Sequence, residues 1–154
     1  GGRVYCCDLS FYYGSFFSAL NGKTYDKLMY KDTAYEKYIT ELQGDTHDPS
    51  YIARVHREVG LGTIDFMFID GDHTYEGVKA DFFNFLPLVK PGGYVAFHDI
   101  LKTADHISSG CRVDQFWNEI KDKFEYWEFV DNNSYACFHE SMPPHCMGIG
   151  VIKK

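Results

Sequence analysis

Short apolar runs, each closed by an acidic cluster, constrain this chain more than any other feature. RVYCCDL (residues 3–9) carries Asp8 near its end, IDFMFI (64–69) runs into Asp70-Gly-Asp-His73, and YVAF (94–97) stops at His98-Asp99. Runs this short and continuous are the pattern of strands covered on both faces. Helical patterns separate them. Asp48-Pro49 places an N-cap before a proline at the first helical position, and Tyr51, Ile52, Val55 and Val59 form one apolar stripe that Gly60-Leu-Gly62 ends. A second helix after residue 73 turns Val78, Phe82, Phe85 and Leu86 inward, and a third carries Val113, Phe116, Trp117, Ile120 and Phe124 on one face. Lys90-Pro-Gly-Gly93 reads as a turn, residues 125–131 and 146–152 as two closing strands, and Trp117 and Trp127 as core.

Strands alternating with helices predict an α/β fold. The expected architecture is a Rossmann-like, mostly parallel sheet with helices on both faces and a C-terminal antiparallel strand pair. Ligands of such sheets bind beyond the carboxyl ends of the strands, and the polar clusters at Asp8, Asp45, Asp70 to His73 and His98-Asp99 fall at those ends. Residues 38–43 read two ways: as a helix with Tyr35, Ile39 and Leu42 on one face behind a Thr33/Glu36 capping box, or as a short strand ending at Gly44-Asp45. Residues 10–37 are rich in Tyr, Phe and Gly without clean periodicity, as in a partly helical, substrate-facing insertion. Their cluster Phe11-Tyr12-Tyr13 with Phe16-Phe17 suits an acceptor pocket or simple core packing.

The 154 residues are enough for one domain. With 15 basic against 22 acidic residues, a net charge of −7 and no dense Lys/Arg run, the chain has no electrostatic footprint for nucleic acid or an anionic membrane. Its five cysteines are odd in number and form no CxxC pair, which favours reduced thiols in a cytoplasmic protein over a disulfide framework or a zinc site. No apolar run approaches the roughly 18–20 residues of a membrane span, and no signal peptide is evident.

At the strand ends, residue types suggest chemistry. Asp8 can accept hydrogen bonds from both hydroxyls of a ribose, or it caps a turn. Asp70 and Asp99, at the ends of neighbouring strands, can converge on one hard divalent cation that prefers oxygen ligands, and such an ion lowers the pKa of a bound hydroxyl. His73, three residues after Asp70, is positioned to act as general base on that hydroxyl. The competing reading has Asp72 or His73 capping the next helix and Asp99 as a loop residue. His98 is a metal ligand, a hydrogen-bonding support or a plain strand-end histidine. His47, His56, His106, His139 and His145 have no spacing that singles them out.

FIDGDHTYEGVKAD (68–81) followed by KPGGYVAFHDI (90–100) resembles the class I S-adenosylmethionine-dependent methyltransferases of the macrocin O-methyltransferase and cephalosporin hydroxylase-like type; GDTHDP (44–49), FWNEIK (116–121) and GIGVI (148–152) resemble them too. The resemblance implies a strand over residues 37–43 and a sheet ordered 3-2-1-4-5-7-6, with Asp8 on the ribose of S-adenosylmethionine and Asp45 beside its adenine. It implies magnesium held by Asp70 and Asp99, with His98 in a position where metal-dependent members often carry a second acidic residue, and His73 as catalytic base. The family's first strand and glycine-rich loop are expected upstream of residue 1. Residues 1–154 are then a single methyltransferase domain incomplete at its N-terminus, which alone would bind cofactor poorly. The expected activity is O-methylation of a hydroxyl on a sugar or small natural product; a homo-oligomer is compatible with it. Acceptor-binding loops are expected in residues 10–37 and 132–144. The alternatives are a catalytically inactive nucleotide- or glycan-binding module of the same fold and, more remotely, an NAD-dependent oxidoreductase.

Overall fold

The computed structural model describes residues 2–9, 30–130 and 148–154. It divides into two compact units, residues 1–55 and 56–154.

In the first unit, β1 (Val4–Asp8) pairs in parallel with β2 (Ile39–Gln43), in the register Val4 opposite Ile39 and Asp8 opposite Gln43. The ambiguity over residues 38–43 is thereby resolved as a strand. A single 3-10 turn, Glu36–Tyr38, leads into it, and Glu36 still reaches back to cap a backbone N–H, that of Asp32, at 2.8 Å. The Thr33/Glu36 capping box does not form: the N-cap of this turn is Tyr35, without a side-chain cap hydrogen bond. Helix α1 (Pro49–Val59) starts as its sequence predicts, with Asp48 Oδ1 accepting from the N–H groups of Ser50 at 2.7 Å and Tyr51 at 3.1 Å. Tyr51 is buried, donates its hydroxyl to the Leu42 carbonyl, and lies flat against Gly44. A Cβ at Gly44 would sit 2.1 Å from the Tyr51 ring, and the backbone there has a φ of +156°, so only glycine fits the bend between β2 and the helix.

In the second unit, β3 (Ile64–Ile69), β4 (Val89–Phe97), β5 (Glu125–Val130) and β6 (Gly148–Lys153) form a sheet in the order β3-β4-β6-β5. β3 and β4 are parallel, and β6 runs antiparallel to both of its neighbours. If β1 to β6 correspond to the expected strands 2 to 7, the neighbour orders 2-3 and 4-5-7-6 match the anticipated series. Helix α2 (Tyr75–Phe85), the short α3 (Ala104–Ser109) and α4 (Val113–Ile120) complete the unit. Phe82, Phe97, Phe116 and Trp117 are fully buried in one aromatic core with Val95, Ile120 and Ile152. Trp117 stacks over Gly150, where a Cβ would come within 2.7 Å of its ring.

Three expectations need correction. Phe66 and Phe68 are 56% and 47% exposed, so IDFMFI is covered on one face only. Trp127 is 39% exposed and shares that open face; its place on β5, opposite Val151 and with two strands between it and β3, turns it from the helices. An apolar run shows that a strand forms, but not how many of its faces are covered. Lys90–Gly93 is no free turn but the kinked start of β4. Gly92 at φ +78° donates to the Lys154 carbonyl at 2.7 Å, and Lys154 donates back to Gly93 at 2.9 Å. No helix among the described residues is long and apolar enough to cross a membrane. The aromatic cluster at 11–17 and the loop 132–144 lie outside the described residues.

Candidate active site

The parallel pairing of β3 and β4 sets Ile69 opposite Phe97, so both strands end side by side and the His98 N–H donates to the Ile69 carbonyl at 3.1 Å. The residues that follow each strand, Asp70 and His98-Asp99, therefore meet. Asp99 takes a left-handed φ of +59°, an uncommon state for a non-glycine residue and one that aspartate tolerates better than most. After Asp70 the chain turns through Asp72, whose Oδ1 accepts from Thr74 N–H at 2.9 Å. Thr74 is the true N-cap of α2, accepting from Gly77 N–H at 3.0 Å. His73 is thus spared from capping and points back to the strand ends. Arg112 N–H fixes its carbonyl at 2.7 Å.

His73 bridges two carboxylates. Its Nε2 lies 3.1 Å from Asp70 Oδ1 and its Nδ1 lies 3.0 Å from Asp99 Oδ2. With acceptors on both ring nitrogens, the imidazolium is the favoured form: hydrogen bonding first to Asp70 and then to Asp99 pushes its pKa up to about 10. Burial works against ionising Asp99, yet the imidazoles of His73 and His98 hold its carboxyl well below the usual carboxylate range. His98 is raised in turn, chiefly by Asp99 beside it. Its Nδ1 sits 2.9 Å from Asp99 Oδ1 and 3.3 Å from Asp70 Oδ1. The first pair is close but not aligned for a hydrogen bond, leaving two buried polar atoms, His98 Nδ1 and Asp99 Oδ1, without a hydrogen-bond partner.

Sequence spacing gave no reason to choose His106, but the fold brings its Nε2 to 3.5 Å from Asp99 Oδ1. Thr103 caps α3 and positions it, and the Leu101 carbonyl lies 2.7 Å from its Nδ1. Cys111, buried just before α4, also joins this group: one ligand atom each from His73, Asp99 and Cys111 lie within 4.8 Å of one another. The other predicted residues stand in the first unit. The Asp8 carbonyl accepts from Gly44 N–H at 2.9 Å, so Asp8 and Asp45 flank the carboxyl edge of the β1–β2 pair. Asp45 is exposed and its Oδ1 accepts from His47 N–H at 2.8 Å.

A cluster of carboxylates and imidazoles where two parallel strands of an α/β sheet end defines a class of site, and sequence comparison gives the class its family. Residues 1–100 match a family described as a methyltransferase domain, and the chain belongs to that family. Demethylmacrocin O-methyltransferase of Streptomyces fradiae is 33% identical over 70 residues, 46% of this chain and 17% of that enzyme. Among solved structures, the O-methyltransferase from Bacillus cereus in complex with SAH superposes with a TM-score of 0.64 at 15% identity, covering 100% of this chain and 64% of that one. MycE, from the mycinamycin biosynthetic pathway and in complex with Mg, SAH and mycinamycin VI, gives a TM-score of 0.51 at 20% identity over 99% of this chain and 36% of its own. The chain thus spans less than two thirds of the length of each of these relatives, and the two structures bear on its fold.

Proposed function

We propose that the protein is an S-adenosylmethionine-dependent O-methyltransferase acting on a hydroxyl of a sugar or small natural product, with Asp70, Asp99 and His98 as cation ligands and His73 as base. The observation that carries the reading is the convergence of those four side chains where two parallel strands end, within a methyltransferase-family chain. The donor set suits a divalent ion. Two carboxylates supply hard oxygens, and the buried Asp99 Oδ1 and His98 Nδ1, 2.9 Å apart but without an aligned hydrogen bond, are the kind of atoms a cation satisfies. When bound, magnesium would polarise the acceptor hydroxyl and offset the charge of the carboxylates.

His73 then has a defined task. Its two carboxylate partners keep it protonated at neutral pH, and it becomes a base once their charge is offset and its proton is lost to solvent. The neutral imidazole would accept the hydroxyl proton and keep it, while S-adenosylmethionine, when bound, would supply the methyl group to the oxygen and leave as S-adenosylhomocysteine. Asp8 would accept from the cofactor's ribose hydroxyls, and Asp45 would lie beside the adenine.

Methyl transfer from labelled S-adenosylmethionine to candidate hydroxylated acceptors, measured on the full-length protein, tests this reading. Asp70→Ala and His73→Ala should each lower turnover by about a hundredfold or more. Undiminished turnover in both variants would remove the assigned roles.

A further inference from the structure

We infer that His73, Asp99 and Cys111 form a binding site for a thiophilic divalent ion of the zinc type, distinct in ligand chemistry from the oxygen-rich site proposed above. The three donors are an imidazole nitrogen, a carboxylate oxygen and a thiol sulfur, all within 4.8 Å of one another. In a tetrahedral zinc site such atoms stand about 3.3–3.6 Å apart, so closure on an ion needs only small side-chain shifts. His73 Nδ1 and Asp99 Oδ2 are already 3.0 Å apart.

Two further observations favour occupancy by an ion. Asp99 is only 7% exposed, and its Oδ1 has no hydrogen-bond partner among the described residues. Cys111 is also buried, while the His73 side chain is 36% exposed and gives an ion its way in. Sulfur is a poor ligand for magnesium and a good one for zinc. Three protein ligands with a fourth position open is the pattern of an exchangeable zinc site. On binding, the Cys111 thiol loses its proton to solvent and the thiolate forms the metal–sulfur bond, with no change of oxidation state. The cysteine spacing hid this site because its ligands come from two different strand ends and the segment before α4.

The consequence is competition. An ion held here engages the His73 imidazole and the Asp99 carboxylate, both of which the proposed reaction uses, so zinc would silence the site that magnesium serves. This consequence rests on the function proposed above; the binding site itself does not.

The test is a cadmium titration of the full-length protein, following the ultraviolet thiolate-to-cadmium charge-transfer band. The wild type should show the band at an affinity that excess magnesium does not abolish. Cys111→Ser should lose it, and His73→Gln should weaken binding at least tenfold while keeping it. A band that persists in Cys111→Ser, or an affinity unchanged in His73→Gln, would overturn the assignment. If Cys111→Ser does not fold, the half-exposed His73→Gln decides alone. Methyl transfer is no part of the readout, so failure of this site and failure of the proposed activity are separate results.

Discussion

The candidate site aspartates of the two units are held in opposite ways. In residues 1–55, Asp45 is exposed and bound to the backbone of its own turn, and Asp8 meets Gly44 through its carbonyl. In residues 56–154, Asp99 is buried among three imidazoles and Asp70 holds two of them. A carboxylate in water has its charge screened and offers hydrogen bonds to whatever docks. One held among imidazoles in a drier setting alters the protonation of every neighbour. The first arrangement suits recognition of a neutral ribose or adenine edge; the second suits moving a proton or holding a cation.

Removing the buried carboxylate should give the largest effect. Asp99→Asn should destabilise the protein by about 2 kcal/mol in denaturant unfolding. The loss should depend on pH with a definite sign. The lowered Asp99 contributes fully above the ordinary aspartate pKa and loses its contribution as pH falls through its folded value. The raised His73 contributes fully below its ordinary value near 6.5 and loses its contribution as pH rises through about 10. The variant should therefore suffer most between about pH 4 and 6.5, and a penalty flat with pH would break the contrast between the units.

Next in size is Gly44→Ala, whose new methyl must displace the Tyr51 ring, at about 1 kcal/mol, the low end of what overpacking costs. The change belongs to the first unit, so His73 should titrate as in the wild type, which ring-proton NMR would check. Smallest in stability is Asp8→Asn, expected within about 0.5 kcal/mol. The same variant should weaken S-adenosylmethionine binding about tenfold in calorimetry, the worth of one charge-assisted hydrogen bond, and leave cation binding unaltered.

The sequence was most legible where one local rule acts alone. Asp48-Pro49 announced α1, and Val113, Phe116, Trp117 and Ile120 announced α4, because capping and periodicity depend on neighbours a turn away. The acid cluster was legible as well, since Asp70 and His98-Asp99 follow two apolar runs and parallel strands must end together. What stayed hidden depended on contacts beyond the reach of a single turn. His106 reaches Asp99 only because a capped turn of helix intervenes, and Cys111 joins His73 because Arg112 N–H ties the next segment to the His73 carbonyl. The coverage of Phe66, Phe68 and Trp127 was misjudged for a related reason: which side of a sheet receives helices is a property of the assembled layers. The protonation of His73 was also beyond the sequence, because it follows from two carboxylates at about 3 Å rather than from one residue three positions away.

Asp70, Asp99 and His98 are proposed to hold a divalent cation whose charge frees His73 to act as a base. Titrating the His73 ring protons by NMR, with and without magnesium, tests this most directly. Without the ion the midpoint should lie near 10, and saturating magnesium should bring it down toward the ordinary histidine range. A midpoint that stays in place when magnesium is added would contradict the claim.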